Sequence, residues 1–422
     1  MYGGLEGGAT NSIFRIFNNN GKIMVETKGE GTNLSLMGVN RVVNIIYQLI
    51  SKAYLELSRN LNNDCMESLG VALSGAETGN TIVKELEEAL ISKLSPTYLK
   101  KNFNNLKIIS DIEGSLYAAT NNNNCIVLIS GTGSNCIFVE QTKANDNQIK
   151  PSSRTLMALK CGGGGHLIGD EGSAIYVSLL TLRILMQIRE GRNDFLNTNK
   201  LKYQDINRVE ECVYIHFGLS SIQFKKSELY PFLYNSTRSS MKTKVANLTK
   251  KLAKLALKEN DRFCKIIFNI AGKELGEMVN GVLQQNSNHK ALQIVNNKKV
   301  DIICIGSMFK SWALLQSAFV KVLREQEKGN SVIKRLLYVN DSSAIGAARY
   351  AVMYGLPLHQ QPTLPLCKNV NVLYDFINNE NKSNDTITNQ KNVKNRNNDD
   401  RKIQYYIILS TIFFCAAVKI GF

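Results

Sequence analysis

Hydrophobic residues recur with two different spacings along most of the chain. Short apolar runs bounded by glycine, asparagine or aspartate predict buried strands, and apolar positions three or four residues apart predict helices. The predicted strands are the segment from about Tyr2 and residues 12–17, 22–27, 69–74, 106–110, 125–129, 137–141, 300–305 and 332–339. The predicted helices are residues 39–57, 81–93, 113–119, 173–190, 242–265, 310–323 and 342–354, with a largely helical stretch up to about residue 284. Strands that alternate with helices in this way predict an α/β fold with crossover connections.

The length of the chain indicates two domains. Its 422 residues are 44% hydrophobic, and a single hydrophobic core stops growing near about 250–300 residues. Two lobes leave a cleft between them, which is a common place for small-molecule ligands.

The positive charge is spread along the chain. The net charge is +16, and the most basic stretch, residues 242–265, has the spacing of a helix with one apolar face. Its lysines form either a solvated face or a patch that attracts anions. Because no aromatic residues are interleaved and no recognised motif occurs, we expect no nucleic-acid partner.

The nine cysteines are scattered and include no Cys-x-x-Cys pair. We therefore expect neither structural zinc nor a disulfide framework. Cys125, Cys136, Cys161 and Cys304 lie in or beside apolar runs or glycine turns, and we interpret them as small packing residues. No signal peptide is visible, and these features favour a reducing, cytoplasmic location.

The last part of the chain differs in composition. Residues 366–402 are rich in asparagine and lysine and are predicted to form a disordered tail. Residues 403–418 are apolar but short for a bilayer span, which usually needs roughly 17–25 residues. Three interpretations stay open for this segment: a membrane anchor, a docking helix, or an addition without a folded role.

Glycine-rich turns adjoin several of the apolar runs. They cover residues 3–10, 130–135, 161–166 and 169–173. Glycines let backbone N–H groups approach a phosphate or a sugar closely, although each turn alone could be an ordinary hairpin. No Gly-x-x-x-x-Gly-Lys-Ser/Thr occurs, and Cys136 stands where a dinucleotide-binding motif would need its last glycine. A small-molecule phosphotransferase is therefore the first hypothesis.

Two acidic positions beside these turns could carry chemistry. Asp111 follows a buried strand, at the edge where ligands collect in open α/β sheets. It could be a general base that takes a proton from a sugar hydroxyl, or the N-cap of the next helix. Asp170 and Glu171 precede another helix and could bind a ligand or cap that helix. We interpret His166 as structural rather than metal-binding.

The combined motifs resemble N-acetyl-D-glucosamine kinases of the eukaryotic type, among the BadF/BadG-type ATPases and the wider superfamily of sugar kinases, heat-shock ATPases and actin. Their order and spacing hold over about residues 1–356, and the Asn-rich tail lies outside. The segments that carry the resemblance are residues 2–10, 32–33, 73–75, 111–115, 127–136, 169–174, 304–307, 310–312 and 342–344.

The resemblance implies a two-lobed actin-like ATPase fold, in which a ribonuclease-H-like sheet is duplicated around a cleft. The N-terminal lobe would cover residues 1–117 and the C-terminal lobe residues 118–358, with the last helix able to pack back on the N-terminal lobe. The implied reaction transfers the γ-phosphate of ATP to the 6-hydroxyl of N-acetyl-D-glucosamine. Mg²⁺ would be held mainly by the nucleotide phosphates rather than by a protein metal site, and a homodimer is implied as well.

The same resemblance assigns the site residues. Asp111 would be the catalytic base. The sugar-binding residues would be Asn33, Asp111, Ser134, Asn135, Gly163, Gly164, Gly165 and Asp170. The nucleotide-binding residues would be Thr10, Thr132, Ala246, Gly306, Ser307, Met308, Phe309 and Lys310.

The chain departs from the family pattern at several positions. Gly164 stands where the family usually has tryptophan, which removes an aromatic wall from the sugar pocket. Ala9 replaces a glycine of the first phosphate turn, where alanine is disfavoured if φ must be positive. The stretch after Ala344 is shorter than usual, and the first strand starts a few residues late.

Other functions stay open. The chain could phosphorylate another hexose or amino sugar, or it could activate a partner enzyme as an ATPase, although it lacks the clustered cysteines of an iron–sulfur interface. It could also bind sugar or ATP without catalysis. Membrane contact is expected only if the C-terminal apolar segment is an anchor.

Overall fold

Two mixed β-sheets and the helices packed on them make up the part of the chain that the computed structural model describes. The described residues are 1–8, 11–57, 65–76, 81–95, 97–99, 105–121, 124–140, 159–222, 225–234, 238–286, 299–326, 332–367 and 369–377. All of them except Ile377 belong to one compact unit, Met1–Phe376.

The first sheet has five strands in the spatial order β3-β2-β1-β4-β5. Strands β1, β2 and β3 form an antiparallel meander, and β4 and β5 run parallel to β1. The strands are β1 Tyr2–Gly7, β2 Asn11–Phe17, β3 Ile23–Glu30, β4 Ser68–Leu73 and β5 Leu106–Ser110.

The second sheet repeats this plan and adds one strand, in the order β11-β10-β9-β6-β7-β8. Strands β6, β7 and β8 form the meander, β9 and β10 run parallel to β6, and β11 closes the edge antiparallel to β10. The strands are β6 Asn124–Ser130, β7 Ser134–Glu140, β8 Leu159–Gly162, β9 Val300–Ile305, β10 Ile333–Val339 and β11 Val370–Asp375. The predicted α/β fold with a duplicated sheet is confirmed.

Twelve α-helices lie among the described residues. They are α1 Leu34–Met37, α2 Val39–Leu57, α3 Thr81–Leu94, α4 Asp111–Ala119, α5 Ala174–Arg189, α6 Asp194–Thr198, α7 Asn207–Phe217, α8 Lys226–Leu233, α9 Arg238–Lys258, α10 Arg262–Asn286, α11 Trp312–Gln326 and α12 Ala344–Gly355. Helices α2 and α3 cover the outer face of the first sheet, and α5 to α11 build the larger core behind the second sheet.

Helices α4 and α12 lie between the two sheets. Leu116 of α4 and Val352 of α12 share an apolar cluster with Val127 and Ile303 of the second sheet. Small residues let α12 approach the first sheet at backbone distance. A Cβ at Gly4 would lie 2.0 Å from the carbonyl oxygen of Ala344.

The contact between α4 and α12 is equally close. A Cβ at Gly346 would lie 1.8 Å from the carbonyl oxygen of Gly114 and 2.6 Å from the backbone nitrogen of Ala118. Only glycine therefore fits at this crossing.

Residues 242–265 are mostly helical, as predicted, but the stretch is divided between two helices, α9 and α10. Asn260 has φ of 59°, a conformation that a helix cannot contain. Asp261 then begins α10, since its Oδ1 accepts a hydrogen bond from the Cys264 backbone N–H at 2.8 Å. The sequence signal at Asn260-Asp261 was an ordinary turn and N-cap pair.

The predicted disordered tail over residues 366–402 begins too early. Residues 370–375 form β11, and the Trp312 indole N–H donates to the Leu373 carbonyl oxygen at 3.1 Å. Tertiary pairing with β10 thus overrides the asparagine-rich local composition. The rest of that segment from residue 378, and the apolar residues 403–418, lie outside the described residues. Within the described ranges, no helix is both long and apolar enough to cross a membrane.

The packing of α12 yields a stability prediction. Gly346→Ala should reduce the free energy of unfolding by about 3 kcal/mol, because the added methyl group meets backbone atoms that cannot move aside. Urea unfolding followed by circular dichroism measures this change. Gly355→Ala in the same helix is the control. Its Cβ would meet Asn105 only at 3.3 Å, so the change should be within about 1 kcal/mol. Equal effects of the two variants would contradict the proposed crossing.

Candidate active site

The carboxyl ends of β1, β4 and β5 place three polar side chains at one edge of the first sheet. These strands are parallel, so Glu6, Ser74 and Asp111 lie at the same end. The Ser74 hydroxyl donates to Asp111 Oδ2 at 2.5 Å, and the Ile112 backbone N–H donates to Asp111 Oδ1 at 3.0 Å. Both carboxylate oxygens of the half-buried Asp111 are therefore held in place.

The start of α4 shows that Asp111 is not a helix cap. Ser110 is the N-cap, and its hydroxyl accepts from the Glu113 backbone N–H at 3.2 Å. The Glu113 carboxylate accepts in return from the Ser110 backbone N–H and hydroxyl, both at 2.9 Å. This reciprocal capping box satisfies the helix start without Asp111, so the capping interpretation of Asp111 is wrong.

Asn33 lies beside the same edge. It caps α1, where its Oδ1 accepts from the Leu36 backbone N–H at 3.1 Å. The next residue, Leu34, donates its backbone N–H to the Ser74 carbonyl oxygen at 3.0 Å. The structure therefore brings the predicted residues Asn33 and Asp111 to one region, with Ser74 between them.

A second group of predicted residues surrounds the turn between β6 and β7. Asp170 is 7% exposed and has φ of 60°, and its Oδ1 accepts from the Ser134 backbone N–H at 3.1 Å. The Ser134 hydroxyl donates to the Glu171 carbonyl oxygen at 2.6 Å. Two hydrogen bonds, one through the Asp170 side chain and one through the Ser134 side chain, thus join the start of segment 170–173 to the β6–β7 turn.

Asn135 offers an acceptor with nothing bound to it. Its Oδ1 is buried and has no hydrogen-bond partner among the described residues. Gly163, at φ of 75°, covers the Asn135 amide so closely that a Cβ there would lie 3.2 Å from the amide carbon. A buried acceptor without a partner costs about 1–3 kcal/mol, and a ligand hydroxyl or amide would remove that cost.

The glycine run after β8 is tightly folded. Gly163 and Gly164 are exposed and Gly165 is half-buried, with φ of 80° at Gly165. A Cβ at Gly164 would lie 3.3 Å from Cγ1 of Ile168, and the Ile168 side chain is itself 78% exposed. Ile168 therefore stands beside the position where the family pattern has an aromatic ring.

The predicted nucleotide residues are placed in different surroundings. Thr10 lies outside the described residues. Thr132 is exposed in the β6–β7 turn, and its carbonyl oxygen accepts from the Ile175 backbone N–H at 3.2 Å. Ala246 on α9 is 7% exposed and packs in the large core.

Gly306 follows β9 and begins a 3₁₀ turn, Ser307–Ser311. Its φ is 110°, and a Cβ would lie 2.3 Å from the Ser130 carbonyl oxygen, so only glycine fits. Ser307 and Lys310 are exposed. The side chains of Met308 and Phe309 are buried in the core, so a ligand could meet these two residues only through their backbone atoms.

A direct hydrogen bond joins the carboxyl edges of the two sheets. The Ser343 backbone N–H, in the turn after β10, donates to Glu6 Oε2 at 3.0 Å. The Ser343 hydroxyl is buried and, within the described ranges, has no partner. Unpartnered polar atoms of Ser343 and Asn135 therefore both occur at the carboxyl edge of the second sheet, as expected where a ligand completes the hydrogen bonding.

Glu6 and Ser74 were not among the predicted site residues. The sequence feature that could have indicated them is their position: each lies at the end of a parallel strand, directly before a glycine. Burial raises the pKa of Glu6, and the charge of Asp111 adds to that rise, while hydrogen bonds from Ser342 and Ser343 and the charge of Arg15 oppose it.

The carboxyl group of Glu171, within the 170–173 segment, lies near that of Glu274 on α10. Burial and the neighbouring charge of Glu171 raise the pKa of Glu274 on α10 to about 7. Tyr176 of α5 hydrogen-bonds Glu274, and a Cβ at Gly172 would lie 2.5 Å from Cγ of Leu275. The segment that carries Asp170 therefore packs directly on the helix that carries this carboxyl group.

No group of three or more histidine, cysteine or acidic side chains that could hold a metal ion occurs in the described part of the chain.

The two duplicated sheets, joined by a hydrogen bond at their carboxyl edges, form a two-lobed, actin-like fold. The family model "BadF/BadG/BcrA/BcrD ATPase family" matches residues 4–351. The chain therefore belongs to the BadF/BadG/BcrA/BcrD ATPase family.

One curated relative and two solved structures resemble the chain over most of its length. The N-acetylmuramic acid/N-acetylglucosamine kinase of Clostridium acetobutylicum is 23% identical over 346 residues, which cover 82% of this chain and 95% of that protein. A structure provisionally named N-acetylglucosamine kinase, from Chromobacterium violaceum, has a TM-score of 0.53 at 15% identity and covers 83% of this chain and 98% of that one. Another provisionally named N-acetylglucosamine kinase, from Porphyromonas gingivalis, has a TM-score of 0.52 at 15% identity, with the same coverage. The two structures share the fold.

The half-buried Glu274 yields a pH prediction. Its folded pKa of about 7 lies above the ordinary value of 4.5, so the stability that it contributes is present at low pH and is lost as the pH rises through about 7. Glu274→Gln should therefore unfold like the wild type near pH 4.5 and be more stable at pH 8, by at most about 3 kcal/mol. Urea unfolding across this range measures the difference. Glu88→Gln, at an exposed position of α3, is the control and should change the free energy of unfolding equally at both pH values; a gain for Glu274→Gln that does not change with pH would contradict the burial argument.

Proposed function

We propose that this protein is an ATP-dependent kinase that phosphorylates the 6-hydroxyl of N-acetyl-D-glucosamine to give N-acetyl-D-glucosamine 6-phosphate. The observation that carries the proposal is the Asp111 carboxylate. Hydrogen bonds from Ser74 and Ile112 fix this carboxylate at a sheet edge. Because Ser110 caps α4, helix capping does not explain the presence of an acidic residue at position 111. Membership of an ATPase family and the named activity of the Clostridium relative support the same conclusion.

In this mechanism Asp111 acts as the general base. Its carboxylate takes the proton of the sugar 6-hydroxyl while that oxygen forms a bond to the γ-phosphorus. The bond between the γ-phosphorus and the β,γ-bridging oxygen breaks, and its electron pair leaves with ADP. Catalysis of such a transfer rests mainly on positioning and on neutralising phosphate charge, which is why rigid glycine turns serve it.

The second group of residues would select the sugar. The unpartnered Oδ1 of Asn135 can accept a hydrogen bond from a sugar hydroxyl or from the acetamido N–H. Asp170 would help by holding Ser134 and by presenting its second oxygen. The exposed backbone of Gly163 and Gly164 would lie along the sugar. At Gly164 the missing aromatic ring would make the choice of sugar less strict.

ATP would bind between the two glycine turns. Thr10 and Thr132 would face its phosphates, and the Gly306–Lys310 turn with Ala246 would line the adenosine side. Magnesium fits this chain as an ion that arrives on the nucleotide phosphates, where it would neutralise charge on the transferred group. A cytoplasmic location and a homodimer belong to the same proposal; the free cysteines of the described residues suit a reducing compartment.

The N-acetylmuramic acid in the name of the Clostridium relative makes a second substrate worth testing. Gly164 has no side chain to obstruct a larger sugar. A panel of N-acetylglucosamine, N-acetylmuramic acid, glucosamine and glucose, assayed by coupled ADP release, separates these sugars. ATP hydrolysis that yields no sugar phosphate would instead favour an ATPase that activates a partner, and binding without turnover would favour a sensor.

Asp111→Asn tests the base directly. The amide cannot accept the proton, so kcat for N-acetylglucosamine should fall by about 10²–10⁴-fold, while sugar affinity measured by calorimetry should stay within about threefold. Asp194→Asn is the matched control, because Asp194 is also the first residue of a helix but is exposed on α6. Near-normal turnover by Asp111→Asn would disprove the assigned role.

Asn135→Ala tests the sugar contact. Loss of the acceptor should raise KM for N-acetylglucosamine about tenfold or more and leave KM for ATP unchanged. The control is Asn193→Ala, since Asn193 carries another buried Oδ1 without a partner among the described residues but lies at the N-cap position of α6. If both variants change the sugar KM equally, Asn135 does not contact the sugar.

A further inference from the structure

A buried cation ties the first sheet to the turn after β10. Arg15 lies on β2 and is 7% exposed. Its Nε donates to Glu26 Oε2 of β3 at 2.7 Å, and its Nη2 donates to Asp341 Oδ1 at 2.7 Å. Arg15 and Asp341 are 326 positions apart in sequence, so this ion pair joins the two duplicated halves of the fold.

Asp341 passes the constraint on to the edge of the first sheet. The oxygen that Arg15 contacts also accepts from the Ser342 backbone N–H at 2.7 Å. Ser342 and Ser343 both hydrogen-bond the Glu6 carboxylate, and the Ala344 backbone N–H donates to the Ser342 hydroxyl at 3.2 Å. Four consecutive residues, 341–344, therefore connect Arg15 to Glu6 and to the first turn of α12.

The charges around Glu6 give Arg15 a second effect. Asp111 raises the pKa of Glu6, and the Arg15 guanidinium lowers it. Burial would raise the pKa of Asp341. The hydrogen bond from Arg15 and the positive charge of its guanidinium outweigh burial and hold that pKa below the ordinary value. Glu26 pairs with the other side of Arg15, and the Cys367 thiol lies 3.8 Å from Asp341. Burial is the largest influence on the Glu6 pKa, and the Arg15 charge opposes it; an ionised Glu6 offers both carboxylate oxygens as acceptors to the Ser342–Ser343 turn.

We propose that Arg15, through its ion pair with Asp341, is a positioning residue that holds Glu6 and the start of α12 together at the edge where Asp111 lies. β1 continues from Glu6 into the Gly7–Gly8 turn, so a displaced Glu6 would shift the backbone that faces the phosphates. The catalytic consequence rests on the proposed kinase function; the tie between Arg15 and Glu6 does not.

The first arm of the test measures the pH dependence of sugar phosphorylation between about pH 5 and pH 9. In Arg15→Leu, kcat at neutral pH should fall about tenfold, and the acid limb of the profile should move to higher pH, because Glu6 loses a positive charge that lowers its pKa. Arg15→Lys keeps the positive charge, so its kcat and the position of its acid limb should be close to those of the wild type. Asp341→Ala removes the contact but not the cation, so kcat should fall while the acid limb stays in place.

The matched control is Arg335→Leu. Arg335 forms a bidentate pair with the buried Asp301 at 3.1 and 3.0 Å, at the amino ends of β9 and β10. Its loss should lower stability without moving the acid limb. An unshifted acid limb in a folded Arg15→Leu variant would overturn the proposal, as would an equal shift in Arg335→Leu.

The second arm needs no enzyme activity. The free energy of unfolding is measured against pH for wild type and Glu6→Gln, and again for Arg15→Leu and Arg15→Leu/Glu6→Gln. Because the folded pKa of Glu6 is raised, its contribution is present at low pH and is lost as the pH rises through that value. In Arg15→Leu, the stability contributed by Glu6 should be lost over a range that extends to higher pH. If Glu6→Gln changes the free energy of unfolding equally at every pH in wild type and in Arg15→Leu, the proposal is overturned. If unfolding shows the expected effect of Arg15 on Glu6 but the wild type phosphorylates no sugar, the link between Arg15 and Glu6 stands and the kinase function is refuted.

Discussion

The arrangement of this molecule depends on the backbone contact between α12 and the first sheet. Gly4 and Gly70 of the first sheet each leave so little room that a Cβ would lie within 2.0 Å of a carbonyl oxygen of α12. Such a contact has almost no freedom to slide, because backbone atoms cannot change rotamer. Since α12 follows directly from β10 of the second sheet, this contact determines where the two sheet edges meet.

Polar interactions then use the geometry that this packing creates. The turn before α12 reaches Glu6, and the parallel strands bring Asp111 and Ser74 to the same end of the sheet. Glu6 lies close enough to Asp111 and to the buried Arg15 for both charges to affect its pKa, and Asp341 pairs with Arg15. An arrangement that costs desolvation energy is typical of a functional site rather than of a region built for stability.

The sequence predicted the elements whose signals are local. The helix Val39–Leu57 and the strands Leu106–Ser110 and Val300–Ile305 have the predicted bounds, because their apolar spacing agrees with their burial. It did not predict β11, whose pairing partner is distant in the chain, or the ion pair of Arg15 with Asp341. Asp111 was singled out correctly as an edge carboxylate, yet the choice between base and cap needed the side chains of Ser110 and Glu113. The assigned ligand contacts remain predictions.

The two parts of the candidate site differ in how strongly the fold constrains them. Asp111 follows a strand that packs against both inner helices, so the position of this proposed base is set by the core of the fold. Asn135 and Asp170 depend on a turn and on the glycine run after β8, where a Cβ at Gly164 would meet Ile168 first. A loop of this kind can change its side chains without disturbing either sheet. We therefore expect phosphoryl transfer to be the property that the fold preserves, and the choice of sugar to be set by residues 162–170 and their contact with Asn135.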